Sequence, residues 1–307
     1  MCGIFGMVYY GKGNHLVYFE TLQLRETLKS LMKFSEVRGT DASGLCVVTD
    51  NMAYIFKDKE RGSKLKESYD LNGILLEIKP TQKFRCAFGH TRAQTKGTYL
   101  KNENNHPIVA NKTIGVHNGI IFNDDSLFTA YDDDIEREGM VDSEIIFRLI
   151  DMYISDGKDI APAVQEATRQ LDGSYACAFI SLDCPHYLTL FREVAFPSIY
   201  MHRFNNFDLL IFASTEDIID KAVDENKFRS SNVDKFEIGG AQGVRINTIN
   251  GKMYCFDLEK KAHNVIRSSW NAQQNPWNGV RFNQQNPCTE CKGTEDCRTC
   301  PQFLHDF

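Results

Sequence analysis

Two sets of short strand-like runs, separated by a pair of helical stretches, constrain this chain more than any other feature of its sequence. In the first set, LCVVTD and MAYIFKD alternate like the arms of a hairpin around Asp50-Asn51, and FRCAFG (84–89) and Ile114 to His117 read as further strands. In the second, YACAFIS, YLTLF, SIYMH, LLIFAS, KFEIG, GVRINTI and KMYCFDL follow one another from Ser174 to Leu258, interrupted by one short helix near Glu216 to Ala222. Between the sets, Ser143 to Ser155 places Ile145, Ile146, Leu149, Ile150 and Tyr153 on one side of a helix, and Ile160 to Leu171 does so with Val164, Ala167 and Leu171. An earlier helix, Thr21 to about Ser35, presents Leu24, Leu28, Leu31 and Met32. Elements that are each apolar on one side must bury that side against one another. The pattern therefore predicts stacked sheets covered by helices, an α+β arrangement whose topology the pattern leaves open. No internal repeat is present.

Composition narrows the class. The chain is 42% hydrophobic and 25% charged, which is the make-up of an ordinary globular protein. No run of eighteen apolar residues and no basic-then-apolar leader is found, so neither a membrane span nor a secretory signal is expected and the expected location is cytoplasmic. The formal charge of -6, without a Lys/Arg block, argues against general nucleic-acid binding. Ten cysteines in such a chain read as free thiols or metal ligands rather than as a disulfide framework.

The opening MCGIFG places Cys2 behind a methionine that is normally trimmed before a small side chain. Trimming leaves a thiol and a free α-amine on one residue, and an amine with a pKa near 8 can take the proton from its own sulfur. Cys2 fits equally a small hydrophobe at the head of a buried strand, since Ile4, Phe5, Met7 and Val8 are apolar. Four polar segments follow it: Arg38-Gly39-Thr40-Asp41-Ala42-Ser43-Gly44, GHTRAQTKG around Arg92, HNG at His117 to Gly119, and VDSE around Asp142.

Taken in order with Cys2, these segments resemble the glutaminase domain of class II glutamine amidotransferases. The likeness runs from about Cys2 to Leu258. Within the family it is strongest to the glutamine-hydrolysing half of glucosamine-6-phosphate synthase, with the amidophosphoribosyltransferase glutaminase a second relative. The resemblance implies an N-terminal-nucleophile hydrolase fold, a four-layer αββα sandwich, and hydrolysis of L-glutamine to glutamate and ammonia. It implies that Cys2 attacks the carboxamide to form a thioester, and that Asn118 Nδ2 and the Gly119 backbone N–H stabilise the oxyanion. Arg92 would hold the substrate α-carboxylate, for which a planar guanidinium is suited, Asp142 would receive its α-ammonium, and Thr95 matches a substrate-loop threonine. Arg38 and Asp41 are expected to tie their loop near Cys2 without taking part in the chemistry. His90, His106 and His117 invite reading as general bases, but the family uses the α-amine, so structural hydrogen-bonding roles are expected of them. Asn118-Gly119 also fits a turn between strands, a role compatible with oxyanion binding. Two positions depart from the family pattern: Ala93 stands where the synthase has tryptophan and Lys96 where it has histidine, which bears on ammonia transfer rather than on hydrolysis.

Three segments are expected: an amidotransferase domain over 2–258, an Asn/Gln/Trp-rich linker over 259–287 that holds Trp270 and Trp277, and a small cysteine-rich tail over 288–307. Beyond Leu258 there is too little sequence for a sugar-isomerase module, no phosphoribosyl-pyrophosphate signature and no ATP-pyrophosphatase loop, so the ammonia acceptor is expected on a separate synthase chain. Competing readings are a hydrolase of another γ-glutamyl-type amide and a non-catalytic scaffold subunit. Cys288, Cys291, Cys297 and Cys300, spaced C-x2-C-x5-C-x2-C, can supply four thiolates to one tetrahedral ion. Zn2+ suits them, an iron–sulfur cluster is the alternative, and a redox pair comes third.

Overall fold

The computed structural model describes residues 2–258 apart from 12–15, 51, 195 and 229; the linker with its tryptophans and the four-cysteine tail lie outside the described residues. Two antiparallel sheets form its centre. The first runs β11 (Val233–Glu237), β9 (Tyr200–Phe204), β10 (Leu209–Ala213), β1 (Gly3–Tyr9), β4 (Phe84–Arg92), β2 (Ala42–Thr49) and β3 (Ala53–Asp58). The second runs β13 (Met253–Asp257), β12 (Gln242–Asn247), β8 (Tyr187–Arg192), β7 (Gly173–Ser181), β6 (Thr113–Ile121) and β5 (Ile108–Ala110).

Alternation along the strands explains the layering. In β1, Ile4 and Val8 enter an apolar layer shared with Val116, Ala176, Ala178 and Leu190 of the second sheet, whereas Phe5 and Met7 point to the opposite face. There they meet Leu24, Leu28 and Leu31 of α1 (Tyr18–Ser35) and Ile218 and Ile219 of α7 (Glu216–Glu225). The outer face of the second sheet is covered by α5 (Glu144–Ser155) and α6 (Ile160–Gln170), through Ile146, Leu149, Ile150 and Val164 against Cys177 and Phe179. Helices, sheet, sheet and helices thus give the αββα sandwich that the resemblance implies. A strand buried on both faces reads as a continuous apolar run, as IFGMV does.

The long helices start and stop close to where their apolar periodicity places them. Shorter elements had weaker signals. α2 (Gly62–Leu65), α3 (Tyr69–Leu75) and α4 (Asp124–Ala130) are too brief to show a stripe. α3 is set by its cap, since Ser68 Oγ accepts the Leu71 N–H at 3.1 Å. Asn118 and Gly119 are not a turn: they lie inside β6, paired with Ala176 and Tyr175 of β7. Among the described residues no helix is long and apolar enough to cross a membrane.

Candidate active site

One end of the sandwich gathers most of the polar segments singled out in the sequence. Cys2 precedes β1 and is half-buried. Its Sγ receives the Ala93 N–H at 3.3 Å and lies 3.4 Å from the Ala93 carbonyl. β1 pairs with β4 through Gly3 and Thr91, so the sheet register itself brings Cys2 beside Arg92 and Ala93. Gly3 is required by this closeness, because a Cβ there would stand 2.6 Å from Thr91 Oγ1. Burial pushes the Cys2 thiol up; the Ala93 N–H and the Arg92 charge oppose that, and Asp142 adds to it. Arg92 in turn feels Cys2, Asp142 and Asp41. These groups therefore share one electrostatic neighbourhood.

The loop between β4 and β5 holds the Arg92 guanidinium from several sides. Nη1 donates to Asn105 Oδ1 at 2.8 Å, and Nη2 donates to the Lys96 and Gly97 carbonyls at 2.8 and 2.7 Å. Asn105 was not foreseen in the sequence, where it lies in a featureless polar stretch. Its carbonyl receives Lys57 Nζ at 2.9 Å, and burial pushes that ammonium down to about 8. Lys96, one of the departures from the family pattern, binds Asp124 Oδ2 and Asp125 Oδ1 at 2.7 Å each, and Arg137 joins the same carboxylates at 3.2 and 2.7 Å. This charge network fastens the loop to α4. Thr95 stands exposed on the loop, unlike Arg92 and Asp142, which are both buried.

Arg38 and Asp41 lie between α1 and β2. Arg38 Nε donates to the Cys2 carbonyl at 3.2 Å, and Asp41 Oδ2 accepts the Gln94 N–H at 2.7 Å. From the second sheet, Asn118 Nδ2 donates to Ser214 Oγ at 2.8 Å, while Ser214 Oγ accepts the Ile4 N–H at 2.8 Å. Ser214 gave no signal in the sequence; it links the strand of Asn118 to the strand that follows Cys2. An amide has two Nδ2 protons, so one remains for a further acceptor. Gly119 has φ +134°, and a Cβ on it would fall 1.9 Å from the Ser174 carbonyl oxygen, so only glycine fits. Asp142 Oδ2 accepts the Ile121 N–H at 2.7 Å, which fixes the carboxylate beside the end of β6.

The three histidines are buried, and burial lowers each: His90 to about 3, His106 well below its usual value, and His117 downward against the pull of Asp142. His90 Nε2 pairs with the His117 carbonyl at 3.0 Å, His117 Nδ1 with Ser143 Oγ at 2.8 Å, and the His90 and His106 rings stack with centroids 4.1 Å apart. A neutral buried imidazole suits packing and hydrogen bonding better than proton exchange at neutral pH. Elsewhere, His202, Glu216 and Asp220 bring three ligand atoms within 4.8 Å of one another, but Lys235 Nζ already lies 2.6 Å from Glu216 and 3.4 Å from Asp220. That ammonium offsets one of the two carboxylate charges and occupies the place a cation would take. Cys288, Cys291, Cys297 and Cys300 lie outside the described residues.

Comparison with known proteins gives a likeness of domain and of fold. Residues 90–221 match the family model of the glutamine amidotransferase domain. Glutamine–fructose-6-phosphate aminotransferase (isomerizing) of Bacillus spizizenii is 32% identical over 180 residues, covering 58% of this chain and 26% of that protein. The Bacillus subtilis protein of the same name is 31% identical over 185 residues, 60% of this chain and 27% of its own length. The match thus spans about a quarter of the length of these relatives. Among solved structures, glutamine phosphoribosylpyrophosphate amidotransferase from B. subtilis superposes with a TM-score of 0.62 at 17% identity, covering 85% of this chain and 50% of that one, a likeness of fold.

Proposed function

We propose that this chain, which carries a class II glutamine amidotransferase domain, hydrolyses L-glutamine to glutamate and ammonia through a Cys2 thioester and delivers the ammonia to an acceptor enzyme on a separate chain. One observation carries the reading: the pairing of Gly3 with Thr91 sets the Cys2 sulfur beside the buried Arg92 guanidinium, with the buried Asp142 carboxylate close enough to act on the same sulfur. A free amino acid has the complementary pair of charges at its head.

Cleavage of the bond preceding Cys2 frees the α-amine, which takes the thiol proton as sulfur attacks the carboxamide carbon. The carbonyl oxygen becomes an oxyanion, for which the second Asn118 Nδ2 proton and the Gly119 N–H are the donors. Collapse of this intermediate breaks the C–N bond. The amine returns its proton to the departing nitrogen, and ammonia and the γ-glutamyl thioester result. Water, deprotonated by the same amine, then attacks the thioester, so that glutamate leaves and the thiol is restored. The neutral histidines take no part in proton transfer.

The test is direct. The processed chain should release ammonia and glutamate from glutamine in equal amounts, and Cys2→Ala should abolish this while leaving the fold intact. Turnover by Cys2→Ala equal to wild type, or none by the processed wild type alone and with copurifying partners, refutes the proposal. Copurification with a second enzyme that incorporates the released ammonia tests the acceptor.

A further inference from the structure

Strands β2 and β3 pair Gly44 with Lys57, so the two residues share one face of the first sheet. The backbone from Asn105 to Pro107 lies directly over them. A Cβ on Gly44 would stand 2.1 Å from the His106 carbonyl oxygen and 2.8 Å from Lys57 Cβ, so glycine is what lets the segment come down onto the sheet. Lys57 Nζ then donates to the Asn105 and Pro107 carbonyls at 2.9 and 3.1 Å, one on either side of His106. Burial disfavours its charge, and the carboxylates of Glu138, Glu103 and Glu144 favour it. A buried ammonium costs stability unless its hydrogen bonds are made, so these two carbonyls are held where Nζ reaches both.

The held segment carries two consecutive buried asparagines. Asn105 Oδ1 accepts Arg92 Nη1 at 2.8 Å, and its Nδ2 donates to the Tyr99 carbonyl and to Asn102 Oδ1 at 2.7 and 3.1 Å, which fixes the amide. Asn104 serves the other side of the site. Its Oδ1 accepts the Met140 N–H at 2.7 Å, two residues before Asp142, and its Nδ2 donates to the Thr98 carbonyl at 2.9 Å. The same loop is tied again by Glu144, whose Oε1 and Oε2 accept the Glu138 and Gly139 N–H groups at 2.8 and 2.7 Å. One asparagine thus touches the guanidinium itself, and its neighbour holds the loop that leads to the carboxylate. Because adjacent residues have a fixed covalent spacing, the pair acts as a gauge between the two charges.

We infer that Lys57 is the positioning residue of this clamp: by seating the Asn104-Asn105 segment on the sheet, it sets the separation of the Arg92 guanidinium from the Asp142 carboxylate, and with it the fit for a free α-amino acid. The inference rests on the proposed function for what the clamp holds. Lys57 acts through Asn105 and not on the substrate. The reacting groups are carried elsewhere, since Cys2 precedes β1 and Asn118 and Gly119 lie in β6, so loosening the segment weakens binding before it slows chemistry.

Lys57→Met keeps the length of the side chain and removes the ammonium. It should raise KM for glutamine roughly tenfold, the weight of one hydrogen bond to a charged group, and leave kcat within about twofold. An unchanged KM overturns the inference, and so does a fall in kcat as large as the rise in KM, which marks a residue needed only for folding. A second comparison needs no turnover. Cys2 is labelled with the chloroketone analogue of L-glutamine, which has the amino-acid head, and with iodoacetamide, which lacks it, both read by peptide mass spectrometry. Lys57→Met should slow the first label roughly tenfold and leave the second unchanged; equal effects on both, or none on either, overturn the inference. Should Lys57→Met fail to fold by far-UV circular dichroism, Asn104→Ala, which removes the Met140 contact and leaves Lys57 and Arg92 in place, should give the same selective slowing, and its absence refutes the gauge. Labelling requires the clamp and the sulfur but no hydrolysis, so selective labelling without ammonia release sinks the proposed function alone, and glutamine turnover indifferent to Lys57 sinks this inference alone.

Discussion

Replacing Gly119 by alanine probes fold and chemistry at once. Its φ of +134° is one that residues with a Cβ avoid, and the new methyl would meet the Ser174 carbonyl oxygen at 1.9 Å. Holding a non-glycine residue there costs about 1–3 kcal/mol. For a domain of this size each kcal/mol lowers Tm by about 2–4 °C, which gives an expected fall of about 2–12 °C. The strain is relieved by turning the 118–119 peptide away from Ser174, and that movement would swing the Gly119 N–H off the position proposed for the oxyanion. Loss of one such donor lowers kcat by about 10²- to 10³-fold. Thermal unfolding and glutaminase kinetics on the same preparation separate the two effects. An unchanged Tm refutes the conformational argument, and a lowered Tm with full kcat removes Gly119 from the oxyanion hole.

Further outcomes follow from the same geometry. Asp142→Asn keeps an oxygen for the Ile121 N–H but removes the charge, so KM for glutamine should rise roughly ten- to hundredfold, as expected for a charge-assisted bond of about 1.5–3 kcal/mol; an unaltered KM contradicts the ammonium-binding role. His90, held neutral down to about 3 when folded, regains its ordinary value near 6.5 on unfolding. Its folded value is depressed, so the unfolded chain binds the extra proton: stability is full above about pH 6.5 and declines as pH falls toward 3, by up to about 1.4 kcal/mol per pH unit. Urea unfolding across that range should show the decline, and His90→Gln should make it shallower, leaving the share contributed by His106 and His117. Zinc analysis of the full chain should give one ion per chain, lost in Cys288→Ser/Cys291→Ser; an iron absorption spectrum in its place identifies the cluster alternative.

Much of the architecture was legible because the buried layers impose simple periods. The faces of α1, α5 and α6 could be read from Leu28, Ile146 and Val164, and β1 from an unbroken apolar run. What escaped were features set by partners distant in sequence. Asn105 matters because it holds Arg92, Ser214 because it meets Asn118 from 96 positions away, and Lys57 because it props the Asn105 carbonyl; none has a local pattern. The Asn-Gly dipeptide misleads for a related reason. Its preference for turns is local, whereas nine paired residues of β6 and β7 hold it in a strand. Among the described residues given a substrate-binding or catalytic role from the sequence, Thr95 is the one the fold leaves exposed.

Ser214 has a mechanical meaning. Sulfur and amide donor belong to different sheets, and this hydroxyl is bonded to both, to Ile4 on one side and Asn118 on the other. Between the sheets lies a layer of apolar side chains, which resists separation far better than sliding, and polar contacts cross it at a few places, among them His90 Nε2 to the His117 carbonyl at 3.0 Å and Arg192 to Glu237 at 3.1 Å. The Ser214 hydroxyl and the His90 ring thus act as polar bolts that help set the alignment of the two halves. Loosening the first would leave every strand in place and yet put nucleophile and donor out of step, so catalysis should fade on warming before any strand is lost.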